Sequence, residues 1–585
     1  MRIRRLRIDN FRGIKTLDWK MPTNQKLVAL IGPGDGGKST ILDAIHYLLG
    51  DRWNIPFSDT DFFNVDVQSP IIIKALLIDL PSELKKDSAF GLWLSGVDQD
   101  GEPLQDPEDG SEPALMVQLS VDSSLEPRWL VIRPDGSEKY LNSAQRRTFS
   151  TFKVDDRTDA QLRWSRNSAL GRLSYADGSE RDALAAASRA AREALVDHES
   201  SSLADLTKRV QDRANQVGGG RFGNLRPGLD TSRSSMGAAL ALHEDIIPLT
   251  RYGLGSRRLA SLAVQQLAAG SRSVAVVDEL ESGLEPHRAV RLLNYLLSDD
   301  GYTQVIVTTH SPVIVEQAQI SNLATVQNQD GTVMVTSLGG ADDLMQRLRR
   351  TRPSSLLARR VLIAEGKTEY GLLLECLEAW DVQRAEEGLS TSAGEGVAIQ
   401  DGNGGTEVGP RAEALARLGF IVAGFLDNDD PSVDDYVSSA EAAGVTVIRW
   451  GAGFNTESQV CANLTVKGLT AFIKIGVERR SGEDTVLQDL NSIEPKKPVP
   501  SLDVQDWISS GITLEDARDR IVTAAVKRKW FKNIDGGRVL GAWIVRNYTK
   551  KQLASTVAKL DKVKAFVYSE RLEPEEGDFG EKFDG

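Results

Sequence analysis

The sequence predicts an α/β protein made of a nucleotide-binding domain, a smaller second α/β unit and a C-terminal helical region. Three observations predict it. Residues 26–31, 274–277 and 304–308 are short, mostly apolar runs with the composition of parallel strands buried on both faces. The first delivers the chain into Gly32-Pro33-Gly34-Asp35-Gly36-Gly37-Lys38-Ser39, with Gly32, Gly37, Lys38 and Ser39 at the spacing of a phosphate-binding loop. Residues 361–364 and 421–426 repeat the buried-strand pattern, and each ends in carboxylates: Glu365 after one, Asp427-Asn428-Asp429 after the other.

The elements follow in order. Residues 3–9 alternate and read as a strand, and Asn10-Phe11-Arg12-Gly13 turns the chain. After the glycine loop, residues 40–49 read as a helix with Ile41, Ile45 and Leu48 on one face. Residues 70–80, centred on Ile71-Ile72-Ile73, form another strand; 85–165 is rich in Gly, Pro, Asp and Ser, with short strands such as 115–117. Residues 180–217 turn rich in Ala, Arg, Glu and Leu and read as one or two amphipathic helices, ended by Gly218-Gly219-Gly220. Two readings stay open for them: a surface helix pair, or an insertion that dimerises. A weak linker is expected near 340–357. Beyond about 480 the text is helical and locally basic, and after Glu570 it becomes an acidic, glycine-dotted tail. No internal repeat is present.

Composition bounds the function. At 585 residues, 41% hydrophobic and 26% charged, the chain is an ordinary globular protein of several domains. A net charge of -13 argues against a surface coated in basic patches, but local clusters decide nucleic-acid binding. Cys376 and Cys461 are the only cysteines, so neither a disulfide framework nor a cysteine zinc site is expected, and a reducing cytoplasm fits. The basic start, Met1 to Leu6, lacks a following apolar segment, and no apolar run is long enough to span a membrane.

Two chemistries are written into the motifs. Glycines at 32, 34 and 37 let backbone N–H groups wrap phosphates, Lys38 would reach the β- and γ-phosphates, and Ser39 would hold Mg²⁺, with Thr40 beginning the helix behind. The matching acidic strand end is Asp278-Glu279, where Asp278 would support Mg²⁺ and Glu279 would orient attacking water. At the second site Glu369 stands one helical turn from Glu365, Asp427 and Asp429 follow a strand, and Glu457 follows another at 445–448. Five carboxylates at three strand ends would repel one another and raise each other's pKa unless hard cations such as Mg²⁺ or Mn²⁺ sit among them. Whether Asp430 joins them stays open. Two such ions would activate water and stabilise the leaving oxygen in phosphodiester cleavage. Lys527-Arg528-Lys529-Trp530-Phe531-Lys532, followed by Arg538, Arg546, Lys550 and Lys551, is the densest basic run. It suits phosphate contacts and stacking on nucleic acid, or is a solvated helix face. One lysine, Lys532 first and Lys529 second, would stabilise phosphate charge at the metal site.

Several motifs carry family resemblances. Asp278-Glu279-Leu280-Glu281-Ser282-Gly283-Leu284-Glu285-Pro286, then Thr308-Thr309-His310-Ser311-Pro312, resembles the Walker B, D-loop and switch-histidine series of ABC-type ATPases. The resemblance implies that His310 senses the γ-phosphate; the plain alternative is a satisfied histidine at a strand end. It also implies that Ser256, in the glycine-flexible run 251–258, reaches the partner's ATP across a dimer. Ile8-Asp9-Asn10-Phe11-Arg12-Gly13 resembles the opening of RecF- and SMC-type ATPases, where Arg12 would touch phosphate or lie on the surface. The acidic set resembles the Toprim domain: Glu365 matches its glutamate and Asp427 with Asp429 its Asp-x-Asp, while Asp401-Gly402-Asn403-Gly404-Gly405 fits the glycine turn between.

An ABC-type ATPase followed by a Toprim domain resembles the OLD family of nucleases, the group that includes the Gabija-type anti-phage subunit. Asp35, in place of a common asparagine, and the degenerate signature loop depart from that pattern. The implied architecture is an ABC-type ATPase domain at 1–345 with a helical dimerisation insertion at about 170–245, a linker at 346–358, a Toprim domain at 359–480, a basic helical DNA-binding region at 481–570 and a tail at 571–585. The implied function is an ATP-regulated, metal-dependent endonuclease on double-stranded DNA in anti-phage defence, homodimeric or larger, with a UvrD-like helicase as partner. The competing expectation is a RecF- or SMC-like repair ATPase whose Toprim domain is a non-cleaving scaffold. A topoisomerase or primase fits less well: no nucleophilic tyrosine domain is identifiable, and two cysteines cannot make the zinc module of a primase.

Overall fold

Strands patterned for one wet face and strands apolar throughout meet in one 14-stranded sheet of the computed structural model. The structure describes residues 1–175, 186, 190 and 241–569, apart from short interruptions at 24, 51, 53–54, 108–110, 150, 156–157, 164–167, 245–246, 270–272, 299 and 340–342. Most of the expected insertion, and the expected acidic tail, lie outside these described residues.

On the antiparallel side, β1 (Arg2–Phe11) and β2 (Ile14–Lys20) mix buried and exposed positions and pair with each other. Strand β3 (Leu27–Ile31) is buried at every position and leads through the glycine loop into α1 (Lys38–Leu49), which turns Ile41, Ile45 and Leu48 into the core. Strands β4 (Ile71–Ile78), β5 (Glu112–Val121) and β6 (Pro127–Ile132) continue the antiparallel ladder. Strand β5 spans ten residues, well beyond the expected 115–117. Gln118 and Ser120 interrupt its apolar run, but pairing on both sides carries the strand through them.

The parallel part holds β7 (Thr151–Val154), β8 (Ser273–Val277), β9 (Tyr302–Thr308) and β10 (Leu323–Gln329), in the order β7-β8-β9-β3-β10. Helix α2 (Leu254–Ala269) precedes β8, and α3 (Pro312–Gln317) follows β9. Because β3, β8 and β9 run in one direction, the loops leaving their carboxyl ends gather at one edge, where ligands of such sheets collect.

The expected linker is not an exposed tether. Residues Asp343–Thr351 form helix α4 and Pro353–Leu357 a 3-10 turn. Met345, Leu348 and Leu356 are buried, and Arg349 donates from Nη1 to the carbonyls of Glu316 and Ala318 at the end of α3. Its polar and proline-bearing text hides a short amphipathic stripe, which packing rather than propensity makes helical.

The second unit is a four-stranded, wholly parallel sheet. Strands β11 (Arg360–Ala364), β12 (Val397–Asp401), β13 (Ile421–Leu426) and β14 (Thr446–Arg449) stand in the order β12-β11-β13-β14. Helices α5 (Lys367–Glu386) and α6 (Gly405–Arg417) are crossover helices. Its two faces have different partners. Val361, Ile363, Val408, Leu415 and Val422 share one apolar core with Leu27, Ala29, Val305 and Val307 of the first sheet. Leu362, Ala364, Ala423 and Phe425 belong to another core with Trp450, Phe472, Trp530, Phe531 and Trp543 of the C-terminal helices. No helix among the described residues is long and apolar enough to cross a membrane.

Candidate functional site

Two constellations form where parallel strands end. At the first, the glycine loop bends from β3 into α1 and Lys38 is buried at 4% exposure. Its ammonium donates to the carbonyls of Gly32 at 3.0 Å and Pro33 at 2.6 Å. Burial pushes the Lys38 pKa down to about 8, against the opposing pull of Asp278 and Asp35. Asp35 occupies the left-handed region at φ 59°, which Asn and Asp both enter more readily than most residues. The departure from asparagine therefore keeps the backbone and adds charge.

Asp278 closes the loop from the other side. Its Oδ1 accepts from Ser39 Oγ at 3.0 Å and from Thr308 Oγ1 at 2.7 Å. Thr308 Oγ1 in turn accepts from the Glu279 N–H at 2.7 Å, so the ends of β8 and β9 are tied together. Glu281 accepts from Thr309 Oγ1 and from the His310 N–H, both at 2.7 Å. Burial and Lys38 lower the His310 pKa, while Glu281, Glu279 and Asp278 oppose the shift. The structure thus brings Lys38, Ser39, Asp278, Glu279 and His310 to one edge; Gly32, Gly34, Gly37 and Thr40 follow from the loop.

Ser256 lies in the first turn of α2, and among the described residues no hydrogen bond joins it to Lys38 or Ser39. Its neighbour Gly255 packs against the Gly283 carbonyl, and Arg258 donates to the Asp278 carbonyl. Arg12 is neither free on the surface nor aimed at the loop. It pairs with Asp43 at 2.5 Å and Asp61 at 2.9 Å.

The second constellation lies at the carboxyl edge of the small sheet. Glu365 ends β11, and its Oε2 accepts from the Asp427 N–H at 2.7 Å, joining the ends of β11 and β13. Glu369 sits in the first turn of α5, where its Oε2 accepts from the Gly366 N–H at 3.1 Å; a carboxylate there also meets the positive end of the helix. Thr456, in the short helix α7 (Thr456–Cys461), places its Oγ1 2.8 Å from Glu369 Oε1 and 3.1 Å from Asp427 Oδ1. Trp450 Nε1 donates to that same hydroxyl at 2.8 Å. Asn455 caps α7 and donates to Asp429 Oδ2 at 3.1 Å. Glu369, Asp427 and Glu457 are buried, Glu365 is half-buried and Asp429 is exposed. Asp401 accepts from the Asn403 N–H in its own turn. A Cβ on Gly402 would stand 2.6 Å from the Ala364 carbonyl, so that turn serves the backbone.

The electrostatics follow from this crowding. Burial, then Glu369, Glu365, Glu457 and Asp429, push the Asp427 carboxyl up to about 9. Burial also raises Glu365 and Glu457, with neighbouring carboxylates adding to it. Lys532 stands close enough that Glu369, Glu457, Asp427 and Glu365 raise its pKa against the lowering effect of burial. Among the described residues, no three His, Cys, Asp or Glu side chains converge to enclose an ion as they stand. The carboxylates are turned instead toward Asp427 N–H, Gly366 N–H and Thr456. The donor set itself, all carboxylate oxygen with excess buried negative charge, suits Mg²⁺ or Mn²⁺.

Two features of the basic run differ from expectation. Trp530 and Phe531 are buried at 1% and 0% exposure, Trp530 bonded to Asp489 and Phe531 packed edge-on against Phe472. They are core residues and present no face for a base to stack on. Arg538 is paired with Glu375 and Glu378. Lys529 is exposed at φ 55°, and Lys532, three residues on, feels the charge of the acidic site.

Sequence reading missed two residues. Thr456 was signalled by the cap pattern Asn455-Thr456-Glu457, which starts a helix with its second residue turned inward. Lys153 was signalled by a charge between the apolar Phe152 and Val154 of β7; its Nζ lies 2.6 Å from Asp43 and 3.8 Å from Asp278.

Comparison with known proteins bears on both halves. A family model described as "AAA ATPase domain" matches residues 1–88, and another, "AAA domain, putative AbiEii toxin, Type IV TA system", matches residues 122–316. An OLD nuclease of Thermus scotoductus is 25% identical over 421 residues, covering 65% of this chain and 74% of that protein. Among solved structures, an SMC head domain from Thermotoga maritima aligns at 14% identity with a TM-score of 0.27, covering 58% of this chain and 99% of that one. An ATP complex of the recombination mediator RecF aligns at 12% identity with a TM-score of 0.32, covering 57% and 99%. The first part of the chain is similar to ATPase domains, and the chain resembles an OLD nuclease over 421 residues.

Proposed function

We propose that this protein is an ATP-regulated endonuclease that hydrolyses phosphodiester bonds of double-stranded DNA at the acidic site, using divalent metal. The observation that carries the reading is the set of mutually unfavourable carboxylates at the strand ends, with Asp427 pushed up to about 9 by burial and by Glu369, Glu365 and Glu457. Carboxyl groups crowded together at such cost mark a functional site more readily than a structural one. We assign the ATPase to 1–345, the nuclease to 359–480 and DNA contact to the exposed lysines of 481–570.

Glu365, Glu369, Asp427, Asp429 and Glu457 would hold Mg²⁺ or Mn²⁺. Bound there, such ions would supply an activated water and stabilise the leaving oxygen. The residues do the rest. Thr456 holds Glu369 and Asp427 at a fixed separation, and Trp450 fixes Thr456. Lys532 adds positive charge where the scissile phosphate would sit. At the other site, Lys38 would leave the Gly32 and Pro33 carbonyls for phosphate, Ser39 and Asp278 would hold Mg²⁺, Glu279 would orient water and His310 would sense the γ-phosphate. Dimerisation through the ATPase, with Ser256 in trans, a role in anti-phage defence and a UvrD-like helicase partner extend the same reading on the strength of the motif order.

Cleavage of supercoiled plasmid tests it, with Mg²⁺ or Mn²⁺, with and without ATP. Glu365→Ala is expected to abolish cutting while ATP still binds, and Lys38→Ala to cut without responding to ATP. Cleavage by Glu365→Ala at the wild-type rate would sink the assignment. One observation favours a second reading, a repair ATPase with a non-cleaving acidic scaffold: the carboxylates are already satisfied by protein donors. Absence of metal-dependent cutting under every condition would select it.

A further inference from the structure

Lys153 has no counterpart in the motifs of the nucleotide site, yet it is built into it. Strand β7 lies parallel to β8 at the end of the ladder, with Lys153 opposite Val276, two residues before Asp278. The lysine side chain is 8% exposed. Its ammonium is 2.6 Å from Asp43 Oδ1 and 3.8 Å from Asp278 Oδ2. Asp43 belongs to α1, directly behind the glycine loop, and its other oxygen is held by Arg12 at 2.5 Å. Arg12 is anchored in turn on Asp61. The lysine is therefore held on a fixed carboxylate, and its charge is directed at the one oxygen of Asp278 that Ser39 and Thr308 do not use.

The charge balance gives this arrangement a consequence. A triphosphate brought to Lys38 meets Asp278, Glu279 and Glu281 at the same sheet edge. Elsewhere a divalent cation is what offsets such a carboxylate, but here a lysine already stands beside it.

We propose that Lys153 is a fixed cation of the nucleotide site that partly offsets the charge of Asp278, so that this chain keeps ATP affinity when divalent metal is withdrawn. The proposal rests on the ATP-site reading above. Lys153 is a positioning and charge-balancing residue and needs no contact with phosphate. Losing one charge a few ångströms from a half-buried carboxylate is expected to weaken metal-free binding about tenfold.

The test is ATP affinity by equilibrium dialysis of the full chain, in excess EDTA and in excess Mg²⁺, reported as the ratio of the two dissociation constants. Lys153→Met is expected to raise that ratio about tenfold, and Lys153→Arg to restore it. Adding Asp278→Asn to Lys153→Met is expected to restore the affinity measured in EDTA, because the charge left exposed is then gone. A general packing defect would weaken binding equally in both media and leave the ratio alone. An unchanged ratio in Lys153→Met, or wild-type binding that requires Mg²⁺, overturns the proposal. Failure of the wild type to bind ATP in either medium, with Lys38→Ala indistinguishable from it, overturns the ATP-site reading instead.

Discussion

At the scale of single residues, two buried polar groups set measurable behaviour. Lys38 is charged only below its lowered pKa of about 8. Phosphate would favour the ammonium and raise that pKa in the complex. Below about pH 8 both states are protonated, and affinity is flat; above it, binding takes up a proton, and affinity falls by up to about tenfold per pH unit. Calorimetric titration of ATP from neutral pH to about pH 10 should show this fall, with proton uptake visible as a buffer-dependent heat. Constant affinity across that range would show that the ammonium does not meet phosphate. Thr456→Val keeps the shape of the side chain but strands Trp450 Nε1 and removes the hydroxyl shared by Glu369 and Asp427. It should lower unfolding free energy by about 1–3 kcal/mol in urea melts, and weaken cleavage while ATP still binds. At this scale legibility was uneven. Lys38, Asp278, Glu365 and Asp427 were readable because phosphate and metal chemistry demand those residue types after strands. Thr456 and Lys153 left only a cap pattern and a lone charge in a strand, because a hydroxyl or an ammonium acquires its role only from the partner that folding brings to it.

At the scale of elements, the acidic site depends on one helix crossing. Helix α8 (Ile534–Arg546) lies across α5 with backbones in contact. A Cβ on Gly371 would fall 2.1 Å from the Ile534 carbonyl, and one on Gly537 2.1 Å from the Thr368 carbonyl. The same crossing sets Lys532, just before α8, against Glu369 in the first turn of α5. Thr368 Oγ1 also donates to the Phe531 carbonyl at 3.1 Å. Gly537→Ala must push the helices apart, with an expected loss of about 1–3 kcal/mol and a fall in cleavage as Lys532 is displaced. Its ATP affinity should match the wild type, since the nucleotide loop lies on the other sheet. Equal damage to both would mean that the crossing supports the whole fold rather than the acidic site. The strands of both sheets were legible from uniform apolar runs. This crossing was not, because small residues spaced for contact carry no periodic signal until the partner helix is known. The same limit explains Trp530 and Phe531: beside lysines they read as a nucleic-acid face, yet both are packed into the core.

At the scale of the whole molecule, the two sheets share one interior. Leu27, Ala29, Val305 and Val307 pack in the same cluster as Val361, Ile363, Leu415 and Val422, with Met345, Leu348 and Leu356 between them. Separating the sheets would expose that interior to water, at roughly 25 cal/mol per Å² of apolar surface. The segment read as a linker is thus a wedge, and Arg349 fastens it to the end of the helix that follows His310. Two domains joined by a tether would melt separately. This arrangement predicts one cooperative transition for the ATPase and the acidic unit together. Ligand linkage then extends across it: ATP at about a hundred times its dissociation constant should stabilise both by roughly 2.7 kcal/mol. Differential scanning calorimetry, with a reporter such as intrinsic fluorescence of Trp450 and its neighbours, should show the acidic unit moving with the nucleotide. In Lys38→Ala that shift should disappear, and Leu356→Ala should split or broaden the transition by removing a fully buried side chain from the wedge. Two resolved transitions in the wild type, with ATP moving only the first, would show that the shared core does not couple the units. Control of the acidic site by nucleotide would then have to pass through a second copy of the chain.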